Sequence, residues 1–362
     1  MFTTVSIEMP ANEYNAATNP LGFVPIIVNI PPNTTERVEL WGNNLCDPNN
    51  SSVRKAVENR IDDVDPAKIL NKGMHITATN FVTVYYEVEE TNNSDIFALK
   101  GVNALGDEFF VPFQTHSYNH NFTNQPAISA IDFVAVDPGN TTVWVYPTKP
   151  VVGHGTDSFA VVLKQGESYT LIPGYVDGGT GDYIYDRDGA DHLAGTRLRV
   201  VGGKRIAVTI SDDSVHGDNG CYDLIGDQLV PIESIDDEGN REPIIGEEYI
   251  IMKGKLRANE RDRIFILATE ANTTIAVTDV SGGGTTTYNN VNASEQIEHT
   301  ISNTALITHV KSTSGKPVYV LHVTGAGGGC EIGEQCCQRL ANVQVHLMWA
   351  FHVAMILAKS SS

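Results

Sequence analysis

Residues 133–146 read FVAVDPGNTTVWVY and residues 265–278 read FILATEANTTIAVT. Each is an alternating apolar run that reaches an acidic residue, Asp137 or Glu270, turns through Asn-Thr-Thr and leaves as a second alternating run. Period-two alternation broken by Asp, Gly and Asn is the signature of a β-hairpin with one buried face. Met twice, it makes the chain a repeat, and the remaining stretches fall into order around the two hairpins.

ALGDEFFVPF (104–113) precedes the first hairpin and IIGEEYIIMK (244–253) the second. FAVVLKQGESYTLI (159–172) is answered by YNNVNASEQIEH (288–299), and TRLRVVGGKRIAVTI (196–210) by ALITHVKSTSGKPVYVLHV (305–323). Gly202 and Gly203 suit the positive φ of a tight turn, and Pro317 opens a strand where its missing N–H costs least. Earlier, IIVNIPPNTTERVEL (26–40) and HITATNFVTVYYEV (75–88) each read as two strands about a turn, the last two hairpins of an earlier copy. Between them, residues 51–70 are polar and read as a short helix or a long loop. The expected fold is all-β: tandem antiparallel hairpin repeats, stacked as β-sandwiches or arranged propeller-like, with very little helix. The expected divisions are 1–103, a partial first repeat; 104–243, a second; 244–334, a third; and 335–362, an atypical tail.

Composition narrows the function. A formal charge of −20 opposes nucleic acid and anionic membrane surfaces, which need clustered Lys and Arg. No apolar run is long enough to span a bilayer; the nearest, Val345 to Ala358, carries His346 and His352, so no membrane insertion is expected. The five cysteines contain no C-x-x-C, which argues against zinc, and a disulfide such as Cys46 with Cys221 stays open. Met1 to Pro10 lacks the basic start and apolar centre of a secretory signal.

Separated blocks carry a resemblance: NSDIFALKGVNALGDEFFVPFQT (93–115), SDDSVHGDNGCYDLIGDQLVPI (211–232), EYIIMKG (248–254), FILATEANTTIAV (265–277) and KPVYVLHVTG (316–325). In this order they resemble the IgGFc-binding protein amino-terminal domain family, in the version found in large secreted or surface proteins of Bacteroidota. The resemblance implies an extracellular or cell-surface, non-enzymatic binding or adhesion module with no catalytic residues, here expected as a fragment of a longer secreted protein. The family's Ser-Asp-Lys-Pro turn is kept at Lys316-Pro317 alone, with Lys204-Arg205 and Asn80-Phe81 at the matching places. After Glu334 neither alternation nor turns continue, as a shifted reading frame from about Gln335 would produce.

Candidate sites follow from side-chain chemistry. Asp177, Asp182, Asp186, Asp188 and Asp191 with interleaved glycines could gather oxygens about calcium, although the spacing is not that of an EF-hand and a solvated acidic loop is the simpler reading. No other cofactor is expected. Ser211, Asp212, Asp213, His216, Cys221 and Asp223 combine nucleophile, base and acid types without a framing elbow, and read as strand-end caps around a structural cysteine. His116 and His120 sit in a polar connection without a third metal ligand. Asn-x-Ser/Thr sites such as Asn140 and Asn272 recur at one hairpin position, which is turn chemistry. Residues 114–128, 173–194 and 211–243 are the long polar connections where recognition of an extracellular protein or glycan would sit. Tyr118, Tyr175, Tyr183, Tyr185 and Tyr222 are its candidate binding side chains, since Tyr joins large contact area to a polar tip. The alternatives are a structural spacer and a polysaccharide hydrolase, which would need two convergent carboxylates.

Overall fold

The computed structural model describes residues 2–20, 22–40, 67–88, 94–120, 127–216, 222–254 and 261–325, and the backbone of 332–336. Most of the 51–70 stretch, Cys46, Cys221, Cys330, Cys337 and the tail beyond Cys336 lie outside the described residues. Five strands open the chain: β1 (Thr3–Glu8), β2 (Ile26–Ile30), β3 (His75–Ala78), β4 (Val84–Val88) and β5 (Asp95–Leu99). Next come β6 (Glu108–Phe110), β7 (Ser129–Ala135), β8 (Asn140–Tyr146), β9 (Phe159–Lys164), β10 (Ser168–Leu171), β11 (Gly174–Val176) and β12 (Tyr183–Tyr185). They are followed by β13 (Arg197–Val201), β14 (Ile206–His216), β15 (Tyr222–Gln228), β16 (Glu233–Ile235) and β17 (Arg241–Pro243). The last eight are β18 (Glu248–Met252), β19 (Arg263–Ala268), β20 (Thr273–Val280), β21 (Gly284–Val291), β22 (Gln296–Thr300), β23 (Ile307–Ser312), β24 (Val318–Gly325) and β25 (Ile332–Cys336). Helix among the described residues is confined to 3-10 turns at Gly101–Ala104 and Gly189–Asp191. The fold is all-β.

Two pairs of four-stranded sheets repeat one strand order. β6-β13-β8-β9 and β10-β7-β14-β15 recur as β18-β23-β20-β21 and β22-β19-β24-β25. The smaller sheet β2-β1-β3 and the hairpin β4-β5 follow the order of β9-β8-β13 and β14-β15. Within each pair the inward residues of both sheets share a core: Phe109, Val143, Leu163, Leu198 meet Phe133, Leu171, Val208 and Ile210 in one. In the other, Tyr249, Val277 and Val310 meet Ile264, Ile266 and Val320. Sheets facing each other across a shared core are β-sandwiches, and no closed barrel forms among the described residues.

A turn device marks the repeat independently. After β2, β9 and β21 the chain turns through a positive-φ residue, Asn33 (59°), Gly166 (78°) or Ser294 (66°). In each turn an amide reaches back to the carbonyl three residues earlier: Thr34 to Pro31, Glu167 to Lys164, Glu295 to Asn292. The two glutamates also accept from the backbone N–H of Lys164 and Asn292, at 2.7 and 2.9 Å.

The two stretches that open the sequence reading are not hairpins: β7 and β8, and β19 and β20, lie in facing sheets, as do the strands about Gly166 and Gly202-Gly203, so these turns carry the chain across the sandwich. The first two turns differ by one residue, with a large consequence. Asp137 to Asn140 spans one residue more than Glu270 to Asn272, so the strands before the turn are out of phase when Asn-Thr-Thr is aligned. Phe133 therefore points into its own sandwich, whereas Phe265, with Leu321, points out of its sandwich into the core of the preceding one. Residues 264–268 are consequently buried on both faces. A strand with two buried faces reads as an unbroken apolar run.

Several expectations are corrected. In residues 26–40 only Ile26–Ile30 is a strand; Val38 and Leu40 pack against the amino-terminal core outside any strand. β1, not singled out in the sequence, is the centre of its sheet. Residues 211–243 are mostly strand, since β14 continues past Ile210 to His216 and β15, β16 and β17 follow. Polar side chains that find partners inside broke the apolar alternation there.

β5 lies along β15. Lys100 pairs with Asp227 across this junction, and the Lys100 N–H donates to the Gln228 side chain at 2.6 Å. Burial pushes the Asp95 carboxyl up to about 7, with Asp227 adding to the rise against its backbone hydrogen bonds. An aspartate raised above its unfolded value near 3.9 favours the folded state below that pH and loses the contribution as pH rises through about 7. Asp95→Asn keeps the acceptor for Ile96 N–H; its melting temperature should exceed wild type at pH 8, the gap closing by pH 4. Phe265→Ala should cost about 4 kcal/mol in urea unfolding, the loss expected for a large core ring.

Candidate functional site

The end of the second sandwich is built by β14, β15 and residues 118–120. Asn119 bridges to Val215, the His120 N–H donates to Ser214 O and the His216 N–H to Tyr118 O, so 118–120 runs beside β14 as an added strand. On the other side His216 pairs with Tyr222. A bulge lies between Asp212 and Val215, where Ser214 takes φ 50°. The extra residue reverses the parity of the strand. Asp212 and Val215 consequently both face inward, while His216 turns outward.

Four rings meet on the outward side. Tyr118 stacks on His216 at 4.7 Å between centroids and 15° between planes. Tyr222 lies 4.2 Å from His120 and 5.0 Å from His216. Tyr118 remains 45% exposed. Beneath the rings is a sealed polar network. Asp212, wholly buried, accepts from Asn119 Nδ2 at 2.6 Å and Gln114 Nε2 at 2.7 Å. Asn119 Nδ2 also donates to Asp213 O, which fixes its oxygen toward His192 Nε2 at 3.0 Å. His192 Nδ1 meets Gln114 O at 2.9 Å. Burial pushes the Asp212 carboxyl up, opposed by His192, Gln114 and Asn119.

The arrangement holds a loop, and its geometry is not that of a nucleophilic triad. His192 Nδ1 meets Gln114 O and the Gln114 amide, Nε2 meets Asn119 Oδ1, no serine hydroxyl among the described residues bonds the ring, and His192 and Asp212 have no solvent-exposed surface. A nucleophilic triad needs a free base nitrogen and an approach for substrate. Ser211, Asp212 and Asp213 are interior strand residues and do not cap a strand end.

The five aspartates do not converge. Asp177 closes its own turn, accepting from Gly179 N–H at 2.9 Å and Thr180 Oγ1 at 3.2 Å, while its N–H donates to Asp182 O. Asp188 caps the 3-10 turn by accepting from Ala190 N–H. Burial pushes the Asp186 carboxyl up, and Asp191 adds to it. Among the described residues no group of three or more His, Cys, Asp or Glu side chains could hold a metal ion. The segment instead braces the ring site: Arg187 O accepts from Asn119 N–H, and Gly189 lies so close to Thr115 and Ser117 that a Cβ would stand 2.6 Å from Ser117 O.

Of the tyrosines, Tyr118 and Tyr222 are brought together. Tyr183 and Tyr185, 6.5 Å apart, pack against Ala130, Val152 and Ile172 in their own hairpin, and Tyr175 is exposed on its far side. His120, His216, His192, Gln114 and Asn119 complete the site. Their convergence joins positions 73 to 98 residues apart, and no local motif announces it. His116 lies 3.3 Å from Glu298, which also meets Arg263. A cleft of about 790 Å³ opens elsewhere, between the β3 and β5 region and Val134–Pro138; its Arg205 is bound to Asp137 and Asp237.

The four rings thus lie over a buried polar base. The chain belongs to the IgGFc binding protein family, whose model matches residues 95–342, and the family is one of binding domains. No curated protein matches the chain. Among the described residues no helix is long and apolar enough to cross a membrane.

Asp212→Ala strands two buried amide donors and should cost about 3 kcal/mol in chemical unfolding. Tyr118→Ala, at the surface, should change stability by less than about 1 kcal/mol.

Proposed function

We propose that this chain is a non-enzymatic extracellular binding and adhesion module, presenting recognition side chains on a repeated sandwich scaffold divided at 1–103, 104–243 and 244–334. The observation that carries the reading is the Tyr118, His120, His216 and Tyr222 cluster, partly exposed and held by a network buried beneath it. Pre-ordered aromatic rings contribute binding area at small entropic cost on contact, which is how anchor residues dominate interfaces. The ligand class is an extracellular protein or a glycan. The family's name points to immunoglobulin Fc, which makes Fc the first protein probe rather than a premise.

The full chain, immobilised, is to be tested for binding to IgG Fc and to a mucin-coated surface. Tyr118→Ala with Tyr222→Ala should weaken whichever interaction is found at least tenfold while the melting temperature stays unchanged. Binding that survives this double substitution, and exchange of 114–128 and 173–194, would make the segment a structural spacer and place adhesion elsewhere.

A further inference from the structure

The outer face of sheet β6-β13-β8-β9 differs from its counterpart in the third copy. Trp144 and Tyr146 stand on it, each 38% exposed, with ring centroids 6.4 Å apart and planes 26° from parallel. Their cross-strand neighbours are Arg199 and Arg197. Arg197 is fixed: it pairs with Glu108 and lies over the rings of Phe110 and Tyr146 at 5.4 and 5.7 Å. Arg199 is exposed and, among the described residues, carries no ion pair; Glu108, opposite it in the register, pairs with Arg197. The equivalent sheet places Ala276 and Thr278 where the rings are, and its Lys311 is engaged by Glu248 at 3.2 Å. The same scaffold therefore exists with and without the rings and the free guanidinium.

We infer that this face binds an acidic, uronate-bearing polysaccharide, sugar rings lying on Trp144 and Tyr146 and a carboxylate meeting Arg199. Flat aromatic faces accept the apolar faces of pyranose rings, and a guanidinium presents paired donors that match a carboxylate. Charge selects the anion. The strand residues of this face include Arg197, Arg199 and Lys164 against the single carboxylate of Glu108, on a chain whose net charge is −20. At physiological salt, charges beyond about 8 Å are screened, so the local cations decide rather than the distant acids. The surface is separate from the Tyr118 cluster, and the inference stands or falls without it.

The full chain is to be run by affinity electrophoresis through gels containing polygalacturonate, with dextran as the neutral control. Retardation by polygalacturonate and none by dextran is expected. Trp144→Ala and Arg199→Ala should each weaken it at least tenfold, while Tyr118→Ala with Tyr222→Ala leaves it intact. Arg199 is exposed, so its substitution should leave the melting temperature unchanged, which is measured alongside. No retardation, equal retardation by dextran, or retardation indifferent to Arg199→Ala would overturn the inference.

Discussion

The architecture depends on two neighbouring strands, β19 and β24, being buried on both faces. β19 and β24 send Ile264, Ile266 and Val320 into their own sandwich and Phe265 and Leu321 into the one before it. Leu267 and Tyr319 meet Phe110 and Ile245 in a further cluster on the same outer face. Neighbouring copies thus share a core, and removing one would expose large apolar side chains of the other. This coupling follows from strand parity: a one-residue difference in a turn decides which of two alternating sets faces which core.

The ring site rests on a second use of parity. The bulge at Ser214 allows β14 to direct Asp212 inward and His216 outward within five residues. Asp212 can stay inside because Gln114 and Asn119 supply its hydrogen bonds, and these amides belong to the segment that carries Tyr118 and His120. Gln296 of the third copy braces the base of that segment by bonding both the N–H and the carbonyl of Phe113. A fully satisfied buried polar network favours one arrangement of its chain segments, since any alternative strands a donor or acceptor. The rings above inherit that order.

Strands and turns were legible because both are local: FAVVLKQGESYTLI and YNNVNASEQIEH carry alternation, turn and closing glutamate within a few residues, and strands and turns form there. Their pairing was not legible, since the two strands of each stretch lie in facing sheets and are not hairpins. The choice of sandwiches was not legible, since it depends on whether a short turn pairs its two strands or carries the chain to the facing sheet, and here it does the second. The ring site was half legible: Tyr118 and Tyr222 follow from residue type, whereas His192 joins them only through distant partners. The acidic segment was ambiguous in sequence because Asp serves turns and caps as readily as cations; in the structure Asp177 and Asp188 accept from backbone N–H groups.

The two complete sandwiches solve one problem with different residues. In each, the segment after the first strand is tied to a buried carboxylate near the same end. In the second copy Gln114 donates to Asp212 of β14. In the third, the Gly254 N–H donates at 2.7 Å to Asp262 just before β19, which His322 and Thr324 also engage. A Cβ on Gly254 would stand 2.0 Å from Thr324 Oγ1, so the backbone itself closes in and no long side chain projects there. In the second copy the tether is a side chain, which leaves room for 114–120 to run on and add its strand beside β14. The two copies thus tie the same segment to a buried carboxylate carried at different places in the sheet, through a side chain in one and a backbone N–H in the other. In the second copy that side-chain tether belongs to the segment whose Tyr118 and His120 meet His216 and Tyr222, so the position of the buried acid and the position of the rings are one and the same constraint.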